Sequence, residues 1–115
     1  MCPRNCATGA WHSVLVVYCF DIDGTLCTRT DGDYTLAEPF HDRIAAVNAL
    51  YAAGHVIKLY TARGSTTGID WREATERQMQ AWSVRYHELI MGKPEADIFI
   101  DDKAFHADHW DWTAR

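Results

Sequence analysis

The sequence predicts an α/β domain built on a parallel sheet. Three observations carry this. Short runs of β-branched and aromatic residues alternate with stretches of helical periodicity. The connections between the runs are long enough for crossover helices. And 115 residues, 48% of them hydrophobic and 23% charged, suit one core that needs no disulfide or structural metal.

Residues 1–13 show no periodicity and are expected to form a mobile leader, with residues 14–115 as a single domain. Val14 to Phe20 is a continuous apolar run, the pattern of a strand covered on both faces. The polar, turn-rich stretch "CTRTDGDYTLAEP" follows and predicts a short flap or hairpin. Phe40, Ile44, Val47 and Tyr51 then recur at helical spacing. With Pro39 in the first turn and Gly54 at the end, they predict a helix over about 38–53. "HVIKLYTAR" is a second buried strand. Asp70 with Glu73 forms an aspartate version of a capping box for a second helix, reaching Trp82. Tyr86 to Ile90 predicts a third strand and Ile98 to Ile100 a fourth.

A formal net charge of −5 argues against nucleic acid or an anionic membrane as the main partner. The longest apolar run is far too short to span a bilayer, and no small-residue cleavage site follows it, so a cytoplasmic protein is expected. Cys2, Cys6, Cys19 and Cys27 do not form a disulfide framework and are expected to be free thiols; Cys2 and Cys6 could chelate a soft metal, but no partner pair is evident.

The chemistry gathers at the strand ends, where open parallel sheets bind their ligands. Asp21 and Asp23 follow the first strand, Thr61 ends the second, Lys93 follows the third, and Asp101 with Asp102 ends the fourth. Each alone has a bland explanation: a turn, a β-former, a surface lysine, a helix cap. Their joint occurrence does not. Two carboxylates on the same face of an extended strand repel, so a positive charge is expected between them.

"FDIDGTL", "LYTAR", "GKP" and "FIDD" resemble the four motifs of the haloacid dehalogenase-like (HAD) phosphatase superfamily, in order, over Val14 to Lys103. Within it, the short length and the wording "YHELIMGKP…DIFIDDK" resemble phosphatases of capsule and surface-polysaccharide biosynthesis. The resemblance implies a three-layer Rossmann-like core with a short parallel sheet of about four strands. No stretch of the chain leaves room for a cap domain. It further implies an aspartyl-phosphate on Asp21, acid–base catalysis by Asp23, and phosphoryl contacts from Thr61 and Lys93. Gly24, Thr25, Ala62 and Arg63 would line the substrate. Mg²⁺ would be held by Asp21, the Asp23 carbonyl, Asp101 and Asp102, and Mg²⁺ with Lys93 would balance the two carboxylates. The implied substrate is a sugar phosphate, with a phosphoprotein, a nucleic-acid end, or a non-catalytic phosphate- or metal-binding module as alternatives. A receiver domain has the wrong order of motifs.

Arg63 reads equally well as a substrate contact or as the surface partner of a carboxylate. Asp31-Gly32-Asp33 lacks the later ligands of a calcium loop and is expected to be a flap turn. His106, Asp108 and His109 read as an exposed tail rather than a second metal site. Trp110 and Trp112 are expected either at a subunit interface or folded back on the helices. Only thirteen residues follow Asp102, so the superfamily's usual fifth strand is expected to be missing, and the exposed edge predicts a dimer or tetramer.

Overall fold

The computed structural model describes residues 15–113; the leader, Cys2 and Cys6 lie outside the described residues. The chain forms strand β1 (Val17–Asp21), a 3₁₀ turn (Tyr34–Leu36), helix α1 (His41–Ala52), strand β2 (Val56–Thr61), helix α2 (Arg72–Ala81) and strand β3 (Glu88–Met91). The three strands are parallel in the order β1-β2-β3. Phe20 pairs with Leu59, and Leu59 in turn with Leu89. The α/β class with a parallel sheet is as the sequence predicts.

One face of the sheet makes the core. Phe20, Ile57, Leu59 and Leu89 join Ile44, Val47 and Leu50 of α1 and Met79 of α2 in one buried cluster. Both helices therefore cover the same face. The other face carries Val17, 59% exposed, the exposed Cys19, and the half-exposed Lys58–Glu88 pair. Among the described residues the architecture has two layers instead of the expected three, and β1 is covered on one face rather than both. The physical reason is topological, because adjacent right-handed crossovers place successive helices on one side, and no helix follows β3.

The fourth strand is not formed. Ile98, Phe99 and Ile100 are exposed, Ile100 by 96%, and lie outside the sheet. Only residues 92–97 separate them from β3, whereas a parallel return takes a dozen or more. Three apolar residues cannot offset that closure.

The flap is present as a bulge off the site. Cys27 bridges to Pro39, and the Thr28 amide donates to the Glu38 carbonyl, closing its base. Asp33 caps the 3₁₀ turn by accepting from the Thr35 amide at 3.1 Å, which makes Asp31-Gly32-Asp33 a turn as expected. The C-terminal tryptophans fold back. Trp110 and Trp112 both lie 5.7 Å from Phe20, ring centre to ring centre. Arg43 of α1 lies over Trp112 and pairs with Asp108 at 3.0 Å. No described helix is long and apolar enough to cross a membrane.

Candidate active site

The site is assembled at the carboxyl ends of the strands. Asp21 is the last residue of β1, and the chain turns at once: the Thr25 and Leu26 amides both donate to the Ile22 carbonyl. Gly24 occupies that turn at φ +83, where a side chain is strained. An added Cβ there would also meet Arg29 Nε at 3.1 Å, so the exposed Arg29 lies over the turn.

Asp21 is partly buried, and its Oδ1 pairs with Lys93 Nζ at 3.2 Å. Thr25 Oγ1 donates to its other oxygen at 3.4 Å, a long bond. Burial pushes the Asp21 carboxyl above the usual aspartate range; Lys93 pulls it back, and the nearby Asp23 adds a smaller upward push. Lys93 is held in place by its backbone. Its amide donates to the Thr61 carbonyl at 3.0 Å, and Ser65 Oγ donates to its carbonyl at 2.7 Å. The Phe99 ring lies 4.8 Å from Lys93 Nζ, so the segment outside the sheet still passes beside the site.

Asp23 has a different partner. Arg63 Nε donates to one carboxylate oxygen and Nη2 to the other, each at 2.9 Å, a two-pronged ion pair. Cys27 Sγ supplies a third contact at 3.5 Å. Burial and Asp23 push the Cys27 thiol up to about 12, so it stays protonated and acts as a donor. The remaining Arg63 protons go to Thr75 Oγ1 and Gln78 Oε1 on α2, through Nη1, and to Cys27 Sγ, through Nη2. With five donors all matched and 3% exposure, Arg63 has nothing left for a substrate. Of the two sequence alternatives, the carboxylate partner is present, but the pair is buried on the arginine side rather than on the surface. Each of the two carboxylates has a side-chain cation beside it, Lys93 for Asp21 and Arg63 for Asp23.

The other sequence-predicted residues fall in two groups. Thr61 ends β2 with its hydroxyl buried, accepting from the Arg63 amide at 3.1 Å; it supports the loop and is 1% exposed. Ala62 opens the tight loop by accepting from the Ser65 amide. Gly24 and Thr25 lie in the turn beside Asp21, Thr25 bonded to its carboxylate. Asp101 and Asp102 do not, being exposed on the segment that leaves the sheet, where Asp101 accepts from the Lys103 amide at 2.8 Å. No group of three or more His, Cys, Asp or Glu among the described residues could hold a metal ion, so His106, Asp108 and His109 form no second centre either. Sequence reading missed Tyr34 and Gln78. The Tyr34 ring lies 4.7 Å from the Arg63 guanidinium, and Gln78 Nε2 donates to the Tyr34 carbonyl at 2.8 Å. Gln78 on an apolar helical face was their one sequence signal.

No family model matches the chain, and no curated protein does. Among solved structures, the chain is similar to the crystal structure of an MCSG target from Vibrio cholerae. The two are 26% identical with a TM-score of 0.73, over 82% of this chain and 85% of that one. The likeness therefore extends over nearly the whole domain.

A cleft of about 280 Å³ lies between the 63–72 segment and the end of β3, lined by Arg63, Ser65, Asp70, Trp71, Met91 and Gly92 among others, and by none of Asp21, Asp23 and Lys93. That is below the roughly 300–1,000 Å³ typical of small-ligand sites.

Proposed function

We propose that this protein is a phosphomonoester hydrolase that works through an aspartyl-phosphate on Asp21. The observation that carries the proposal is the Asp21–Lys93 pair at the end of β1, a part-buried carboxylate with one oxygen held by a cation and the other only loosely bonded. The second oxygen is free to attack phosphorus, and the ammonium is placed to neutralise the phosphoryl group. Asp23 lies two residues on, as acid for the leaving oxygen and then base for the water that cleaves the intermediate. In the first half, the Asp21–P bond forms as the bond to the leaving oxygen breaks, and that oxygen takes the Asp23 proton. In the second, water gives a proton back to Asp23 and attacks phosphorus, releasing phosphate and restoring Asp21.

The motif resemblance favours a sugar phosphate of surface-polysaccharide metabolism as substrate. Mg²⁺ belongs to the proposal through the same resemblance. The described residues do not make a preformed cage for it, since Asp21 is paired with Lys93 and Asp101 and Asp102 are exposed elsewhere.

The test is phosphate release from sugar phosphates, nucleotides and a phosphopeptide, with Mg²⁺ and with chelator, alongside Asp21→Asn. Release that Asp21→Asn abolishes is expected, greatest from a sugar phosphate. Release only from the phosphopeptide or an oligonucleotide end would replace the substrate, and no release from any ester by folded protein would overturn the reaction.

A further inference from the structure

Arg63 makes five side-chain hydrogen bonds, and the reaction as proposed leaves it without a role of its own. Its guanidinium joins three parts of the fold. Two donors grip Asp23 in the turn after β1. Two more are fixed by Thr75 and Gln78 of α2. Its face lies against Tyr34 of the flap, whose carbonyl is bonded by the same Gln78. A surface ion pair is flexible and weakly held. This one is buried on the arginine side, bidentate, and braced from behind.

Resting on the hydrolase reading above, we infer that Arg63 is the positioning residue for Asp23, and that Gln78 and Tyr34 extend this hold to the flap. When Asp23 gives its proton to the leaving oxygen it becomes a carboxylate. That carboxylate is the form the Arg63 fork already holds in the structure, both oxygens accepting at 2.9 Å. The same fork keeps the carboxylate aimed while it takes the proton from water. Arg63 touches neither substrate nor phosphorus; it acts through Asp23.

This assigns Arg63 an effect that depends on the leaving group. An alkyl leaving oxygen, as in a sugar phosphate, needs the proton in the transition state. A p-nitrophenolate leaving group scarcely does. A merely structural role would slow both esters alike. The experiment compares kcat/KM for a sugar phosphate and for p-nitrophenyl phosphate in wild type, Asp23→Asn, Arg63→Lys and the double variant. General acid catalysis is worth about 10²–10⁴-fold. Asp23→Asn is expected to show that selective loss on the sugar phosphate, and Arg63→Lys a tenfold or greater part of it. The double variant should be no worse than Asp23→Asn alone. Where Arg63→Lys does not fold by circular dichroism, Gln78→Met, which removes one brace and the flap bond, carries the test with the same selectivity at smaller size. Equal fractional losses on the two esters, or additive losses in the double variant, overturn the inference while wild-type activity leaves the hydrolase reading standing. Wild-type protein inactive on both esters overturns both.

Discussion

Replacing Arg63 with Met keeps a long apolar stem and deletes the guanidinium. The side chain is 1% exposed, so water cannot take over the five contacts it leaves behind. Removing one partner of a buried ion pair costs about 3–5 kcal/mol. Asp23 is 21% exposed and regains some hydration, which places the expectation at the lower end, about 3 kcal/mol. For a domain of this size that lowers Tm by about 12 °C or more. Urea unfolding followed by the fluorescence of the five tryptophans reads the change directly. Asp23→Asn in the same background should recover part of the loss, because it removes the carboxylate left unpaired, giving a coupling of about 1.5 kcal/mol or more in the double-mutant cycle. Arg77→Met is the control: Arg77 and Glu73 form an exposed i,i+4 pair, so it should cost no more than about 0.5 kcal/mol. An Arg63→Met loss below about 1 kcal/mol, or one matching Arg77→Met, would refute a buried, fully matched guanidinium.

Burial holds Asp21 above the usual aspartate range, so its protonated form favours the folded state; that stability is present at low pH and lost as pH rises through the folded value. Asp21→Asn should therefore raise the urea midpoint at pH 7, with the difference shrinking below about pH 4; a lowered midpoint at pH 7 would contradict it. Because the attacking group must be ionised, the acid limb of kcat/KM should lie above that of an ordinary aspartate and move further up in Lys93→Gln, which removes the main downward influence; an unmoved limb excludes Asp21 as its source. Gly64→Ala would set a Cβ 2.1 Å from the Ile69 carbonyl oxygen at φ +81, costing about 1–2 kcal/mol for the backbone alone and opening the 64–69 loop; unchanged Tm would rule that geometry out. Calorimetric titration of Mg²⁺ should detect no binding to the protein alone and weak binding with phosphate present. Tight binding to the free protein, lost in Asp101→Asn, would mean that the 98–102 segment supplies ligands after all.

The elements legible in the sequence are those whose signals are local. Periodicity from Phe40 to Tyr51 with Gly54 beyond it gave α1 to within a few residues, and the apolar alternation of "VIKLYT" gave β2. The fourth strand failed because an apolar triplet was read without asking how far the chain must travel to reach the sheet. The third layer failed with it. Asp21, Asp23 and Lys93 could be found since each ends or follows a strand, and parallel topology brings such ends together. Asp101 and Asp102 share the composition of a metal pair but depend on the strand that does not form.

Arg63 was ambiguous for a deeper reason. An arginine after a strand can point out to solvent or in toward the turn, and what decides is whether five acceptors wait inside. Those acceptors come from the turn at Asp23 and Cys27 and from α2 at Thr75 and Gln78, a constellation that no spacing in the sequence reveals. The result also answers why the chain places two carboxylates so close. They are not treated as a pair. Asp21 is held at one oxygen by a lysine whose long stem can follow a phosphoryl group as it transfers, and its other oxygen is left for chemistry. Asp23 is held at both oxygens by a rigid planar fork. A nucleophile must move toward phosphorus, whereas an acid–base group must stay aimed at one oxygen. On the proposed reaction, lysine suits the first and arginine the second, and exchanging the two cations should damage each role in its own way.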